Sequence, residues 1–345
     1  MPLLSLLLRA MENITTVNEF LLLELTSTQE LQPVLFMTLL IIYMIDLFGN
    51  GSILVVVISE PRLYTPMYFF LGNLSCLDIC YSSVTLPILM ANLLSAHKAI
   101  SFLGCITQLH FFHFLGCTEA VLLIIMGFDW FVATCYPLRY TVIMNLMVRI
   151  LLASMAWITS FFYALVHSVM TACLNFCHSL KLHHFFCDVK PLLELAGGDI
   201  RLNQWLIFIV TGSLSMAACF LTFLSYLYII SFLLFKNHTY SGLHKALSTC
   251  ASHFMVVSLF YGTVGLTYIP PASATSVSQG RYVAVIHTTV TSLLNHWYTP
   301  LGIRKWSWLW AEGLGRNWSY LKKIIGSTRK KSKLHFIFMT FISHL

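Results

Sequence analysis

Seven apolar stretches dominate the chain, at residues 31–58, 66–90, 102–128, 148–171, 203–235, 246–270 and 282–301. A helix needs about 20 apolar residues to cross a hydrocarbon core roughly 30 Å thick, and each stretch reaches that length. Inside lipid every backbone N–H and C=O must find its partner within the segment, so such a run folds as a helix. The expected fold is an all-α membrane protein, a seven-transmembrane helix bundle. Composition agrees: 58% of residues are hydrophobic, 10% are charged and the mean hydropathy is +0.79, which a water-facing surface tolerates poorly. Three regions follow: an N-terminal segment 1–30, the bundle 31–301 and a tail 302–345.

Seven crossings put the two termini on opposite sides of the membrane. Short-loop cations do not decide which, because Arg62, Arg139, Arg149, Lys236 and Lys245 on one side balance Lys98, Lys181, Lys190, Arg201 and Arg281 on the other. The tail breaks the tie with nine Lys or Arg after Leu301, opposite an N-terminal segment carrying four Glu and one Arg. The expected orientation places the tail in the cytosol and the N-terminus outside. The opening ten residues lack a basic n-region and are too short for a signal peptide. On the outer side Asn13-Ile-Thr15 is the credible glycosylation acceptor, since Asn73-Leu-Ser75 falls within a span and the sequons at Asn237 and Asn317 face inward.

Polar residues within the spans are costly there unless they pair. Asn50 in the first, Asp78 in the second and Asn295 in the seventh lie at depths that allow one shared hydrogen-bonded cluster. Such a cluster serves either as a rearranging switch or as helix–helix glue, and the residues alone leave both open. Asp46 and Glu119 read as paired or neutral carboxylates. On the third span Leu109, His113, Gly116, Cys117 and Ala120 recur at helical spacing, as do Val257, Tyr261, Val264 and Tyr268 on the sixth. Facing each other they would line a mostly apolar cavity with polar tips, although such a stripe more often packs a core. The loop 172–202 collects His178, His183, His184, Cys177, Cys187 and Asp188, but completes no zinc spacing, so solvation and packing are its expected roles. No catalytic constellation, cofactor fingerprint or metal site emerges. The basic run Arg329-Lys-Lys-Ser-Lys333 fits solvation or membrane-lipid headgroups better than nucleic acid. A channel or transporter would show a continuous polar stripe or paired broken helices, and neither is found.

Two blocks carry a resemblance: Pro66-Met-Tyr-Phe-Phe-Leu-Gly-Asn-Leu-Ser-Cys-Leu-Asp78 and Met126-Gly-Phe-Asp-Trp-Phe-Val-Ala-Thr-Cys-Tyr-Pro-Leu-Arg-Tyr140. With Glu19-Phe-Leu-Leu-Leu, Gly49-Asn50, His184-Phe-Phe-Cys-Asp188, Ser225-Tyr226 and Lys245-Ala-Leu-Ser-Thr-Cys-Ala-Ser-His253, they resemble the olfactory receptors, a branch of the rhodopsin-like G-protein-coupled receptors. The resemblance implies a rhodopsin-like bundle in the plasma membrane and a start at Met11. It further implies a site for a small volatile hydrophobic odorant between spans three, five and six, and coupling to a stimulatory heterotrimeric olfactory G protein. His113, Gly116, Cys117, Tyr261 and Tyr268 are then the ligand-binding candidates, and Asn50, Asp78, Asp129 and Asn295 the switch and coupling candidates. Of ten cysteines, Cys105 opens the third span and Cys187 lies mid-loop, so Cys105–Cys187 is the disulfide expected in this topology.

The chain departs from the family at three places. After Asp129 the family has Arg and Tyr, whereas Trp130 and Phe131 stand here, and an indole cannot replace a five-donor cation. Gly197 replaces a loop cysteine, which leaves Cys177 without the partner it would have in the family. Beyond Asn295 the family reads Asn-Pro, two variable residues and Tyr, but this chain reads Asn295-His-Trp-Tyr-Thr-Pro-Leu-Gly-Ile-Arg-Lys-Trp-Ser307. Codons for the family string, with one C lost from the Pro codon, encode that sequence, which reads as a one-base frameshift. Two expectations therefore stand together: an odorant receptor, or a non-signalling product of a decaying receptor gene retained in the endoplasmic reticulum.

Overall fold

A computed structural model describes residues 19–22, 30–95, 98–176, 181–182, 184–235 and 240–268. The expected seventh span, Asn295, the tail, Asn13 and Cys177 lie outside the described residues. The described residues form six long helices: α1 Leu31–Ser59, α2 Pro66–Leu94, α3 Phe102–Cys135, α4 Leu146–Ala172, α5 Ser213–Phe235 and α6 Tyr240–Tyr268. Among the described residues five helical stretches, α1 to α4 and Ser215–Phe232 within α5, are long and apolar enough to cross a membrane.

Local chemistry sets the helix starts. Pro66 begins α2, where its missing N–H costs nothing and its fixed φ suits the first turn. The Ser101 hydroxyl accepts from Gly104 N–H at 3.1 Å to cap α3, and the Asn145 side chain accepts from Val148 N–H at 3.0 Å to cap α4. The entry to α5 is less regular: a short helix Arg201–Leu206 passes into a π turn, Ile207–Gly212, before α-helical bonding resumes. That turn shifts the hydrogen-bond register and rotates the residues after it.

Helix α3 is the central post, packing on α2, α4 and α5, while α1 packs on α2 and α6 on α5. One apolar cluster joins α1 to α4 through Leu39, Phe70, Leu77, Leu122 and Ala156, and another joins α3, α5 and α6 through Leu123, Ala218, Val257 and Phe260. The surface is inverted relative to a soluble protein. Phe48 and Ile58 are 70% and 69% exposed, whereas Asp46, Asn50 and Asp78 are 3%, 1% and 1% exposed. Lipid is as apolar as a leucine side chain, so helix association there rests on close packing and interhelical hydrogen bonds. Asn73 supplies such a bond, accepting from Trp157 Nε1 at 3.2 Å while its amide donates to the Phe69 carbonyl at 2.9 Å. Its use as glue between α2 and α4 fits its place inside a span.

One end of the bundle carries a small sheet that the apolar pattern does not announce. Strand β1 (Glu19–Leu22) lies between β2 (Ala99–Ser101), to which it is antiparallel, and β3 (Lys181–Leu182), to which it is parallel. Phe20 is fully buried against Phe102 and Phe176, with ring centroids 5.9 and 5.4 Å away. Beside it Cys105 is bonded to Cys187, with Cα atoms 5.3 Å apart. The sheet and the bridge together fasten the loop after α4 across the end of α3. That loop closes on itself through a backbone bond from Gly197 N–H to the Asn175 carbonyl at 2.8 Å.

Candidate ligand cavity

Among the described residues, five helices and the fastened loop line a cavity, with Tyr81 of α2, Tyr163 of α4 and Ser215 of α5 reaching it beside α3 and α6. From α3 come His113, Gly116, Cys117 and Ala120, and from α6 Tyr261, Val264 and Tyr268. The five expected ligand-binding residues thus share one space. Leu109 and Val257, on the same helical stripes, do not line it: both are fully buried, Leu109 in the cluster beneath the sheet and Val257 between α3 and α6.

Small side chains create the room. A Cβ placed on Gly116 would meet only the Tyr81 Cε2 at 3.9 Å, which is ordinary contact, so space lies open beyond it. The Tyr261 hydroxyl donates to the Ala120 carbonyl at 2.8 Å, tying α6 to α3 and turning the ring into a wall. Phe260 and Val264 continue that wall. The lining is mostly apolar, with the polar atoms gathered at the loop end.

The crowded composition of the loop points Asp188 to a solvated or packing role and does not reveal the polar end of the cavity. Asp188 is instead 3% exposed and lines the cavity. Its carboxylate accepts the Val189 N–H at 2.7 Å, capping the helix Val189–Leu195, and accepts the Tyr268 hydroxyl at 3.0 and 3.1 Å. His113 Nε2 stands 3.7 Å from the same carboxylate. Adjacent Cys187 fixes this placement through its disulfide and its N–H, which donates to Gln108 Oε1 at 3.1 Å. Lys190 is buried close by; burial pushes its ammonium below the usual lysine range, against the opposing pull of Asp188 and Glu194. Thr211 and Ser215 also reach the cavity from the π turn and α5, where a register shift leaves no sequence period to read.

The switch candidates are distributed along the bundle. Asn50 donates to Asp46 Oδ1 at 2.9 Å, four residues back on its own helix, and Asp78 is buried on the neighbouring α2. At the end opposite the disulfide, Asp129 is buried and accepts the Tyr140 hydroxyl at 3.0 Å. Burial, and then the Asp129 charge, push the Tyr140 phenol above its usual range. Phe131 meets Tyr228 of α5 with ring centroids 5.5 Å apart, so an aromatic contact stands where the family has the Tyr of its Arg-Tyr pair. Glu119 is also buried, close to Tyr81 and Tyr261.

A family model described as "Olfactory receptor" matches residues 39–294. Human olfactory receptor 12D3 is 70% identical over 285 residues, which cover 83% of this chain and 90% of that protein. Human olfactory receptor 12D1 is 64% identical over 285 residues, 83% of this chain and 89% of its own length. Olfactory receptor 1E2 of Pan troglodytes is 41% identical over 284 residues, 82% of this chain and 90% of its own.

Proposed function

The chain belongs to the olfactory receptor family, rhodopsin-like seven-helix receptors rather than enzymes, and from that premise we propose that it binds a small hydrophobic odorant between α3, α5 and α6. The cavity supports this reading most: apolar walls from α3 and α6, a polar end under the loop, and open space beside Gly116. The protein sits in the plasma membrane with its N-terminus outside. Occupancy shifts a two-state bundle towards the form that opens the end bearing Asp129 to a stimulatory heterotrimeric G protein. Moving such an equilibrium from 1:99 to 99:1 takes about 5.5 kcal/mol of differential affinity. A ligand of about ten heavy atoms, at no more than about 1.5 kcal/mol each, has a ceiling of roughly 15 kcal/mol, of which only the part that differs between the two forms counts.

The sequence at the coupling end predicts a weak response. Trp130 and Phe131 replace a cation and its neighbour, and the reading after Asn295 removes the family's Pro and Tyr. Basal and odorant-evoked cyclic AMP are expected to be low in the unmodified chain. Trp130→Arg alone should restore little, whereas Trp130→Arg with the family reading frame after Asn295 should restore most of the response. A reporter assay of the unmodified chain, Trp130→Arg, the restored frame alone and the two changes together, at matched surface expression, tests this. Strong signalling by the unmodified chain would contradict it.

A further inference from the structure

Serine and threonine hydroxyls in the long helices give their protons to the backbone one turn back. Thr118 donates to the Phe114 carbonyl, Ser168 to Ala164 and Thr222 to Ala218, each at 2.8 Å. The α6 wall of the cavity follows the same habit: Thr263 donates to the Leu259 carbonyl at 2.9 Å and Thr267 to Thr263 at 2.9 Å, while Tyr261 crosses to Ala120. Ser215 of α5 departs from it. This residue lines the cavity and is only 9% exposed, yet its hydroxyl makes no hydrogen bond among the described residues. One turn back stands Thr211, inside the π turn, where bonding runs to the fifth residue and the usual geometry is lost. Thr211 itself shares a single bond with the Tyr163 hydroxyl, so one of those two protons is also left over. The α5 side of the cavity thus presents hydroxyl protons that lack an acceptor.

We propose that Ser215 selects the odorant by its polar group and that this group is a carbonyl, whose oxygen accepts the Ser215 proton while the hydrocarbon body lies along Gly116 and Ala120. A carbonyl oxygen offers two lone pairs and brings no proton, so it meets a surplus of donors without adding to it. An alcohol brings a further proton that needs an acceptor of its own. A hydrocarbon displaces water without replacing its bonds and strands the Ser215 proton in apolar surroundings. The inference rests on the cavity being the odorant site.

The test is binding by the full chain in lipid nanodiscs, using three probes on one carbon skeleton: methyl hexyl ketone, the alcohol formed by its reduction, and the alkene with a methylene in place of its oxygen. The ketone should bind at least about tenfold more tightly than the alkene, as expected where a buried donor is otherwise left unsatisfied, and at least about threefold more tightly than the alcohol. Ser215→Ala should bring the ketone to within about threefold of the alkene, while retained alkene binding reports an intact cavity. A ketone preference that Ser215→Ala leaves unchanged overturns the role of Ser215, and an alcohol that binds as tightly as the ketone overturns the carbonyl. If all three probes bind equally and Gly116→Phe abolishes the binding, the polar-group inference fails while the cavity reading stands. Equal binding that survives Gly116→Phe, or no binding by any probe, overturns both.

Discussion

Cys105→Ser is expected to remove the protein from the cell surface. The bridge from Cys105 to Cys187 closes a separation of 82 residues, and both cysteines are fully buried. Losing a native disulfide typically costs about 2–5 kcal/mol, a large part of the roughly 5–15 kcal/mol that holds a folded domain together. The damage would spread along the chain. Cys187 N–H holds Gln108, Asp188 caps the next helix and holds Tyr268 of α6, and β3 precedes the bridge by only a few residues. Freeing Cys187 therefore releases the polar end of the cavity together with the sheet over it. Surface immunolabelling against total protein should fall by at least tenfold, and Cys187→Ser should match it. Surface levels equal to the unmodified chain would show that the sheet alone fastens the loop.

Gly116→Phe is expected to abolish odorant binding without unfolding the protein. Since a Cβ at Gly116 meets nothing closer than 3.9 Å, Gly116→Ala should be tolerated, and only a side chain long enough to cross the cavity should exclude the ligand. A phenyl ring forced into a packed core costs about 1–3 kcal/mol, whereas here it enters free space and should cost less. Ligand-induced stabilisation reads both effects at once. At a hundredfold excess over Kd it amounts to about 2.7 kcal/mol, which the Ala variant should retain and the Phe variant should lose while unfolding near the unmodified temperature. A Phe variant still stabilised by ligand would place the site elsewhere.

What the sequence made legible followed from length and period. Apolar run lengths placed the long helices, but α2 and α3 run past the ends of their apolar windows. The apolar run of the third span stops at residue 128, where Asp129 interrupts it, yet α3 continues to Cys135, just before Pro137. A helix ends where its hydrogen bonding does, not where the polarity changes. The small sheet left no signal, since Glu19–Leu22 is four residues long and pairs with segments far away in sequence. Within the cavity, His113, Gly116, Cys117, Tyr261 and Tyr268 were legible because small and aromatic residues recur on one helical face. The same stripe also contained Leu109 and Val257, because period fixes a face but not which neighbour covers it. Asp188 was illegible because its position depends on a long-range disulfide, and Thr211 because a π turn breaks the period. For Asn50 the depth could be read and the partner could not: its amide turns to Asp46 on the same helix.

The most direct measurement of the central account is photoaffinity labelling of the full chain in membranes. A diazirine-bearing analogue of methyl hexyl ketone would be irradiated with and without excess ketone, and its attachment sites mapped by mass spectrometry. The account predicts labels on cavity residues, with Cys117, Tyr261 and Tyr268 among them, and their loss on competition. Labels confined to exposed side chains such as Phe48 and Phe220, or labels that the ketone does not displace, would contradict it.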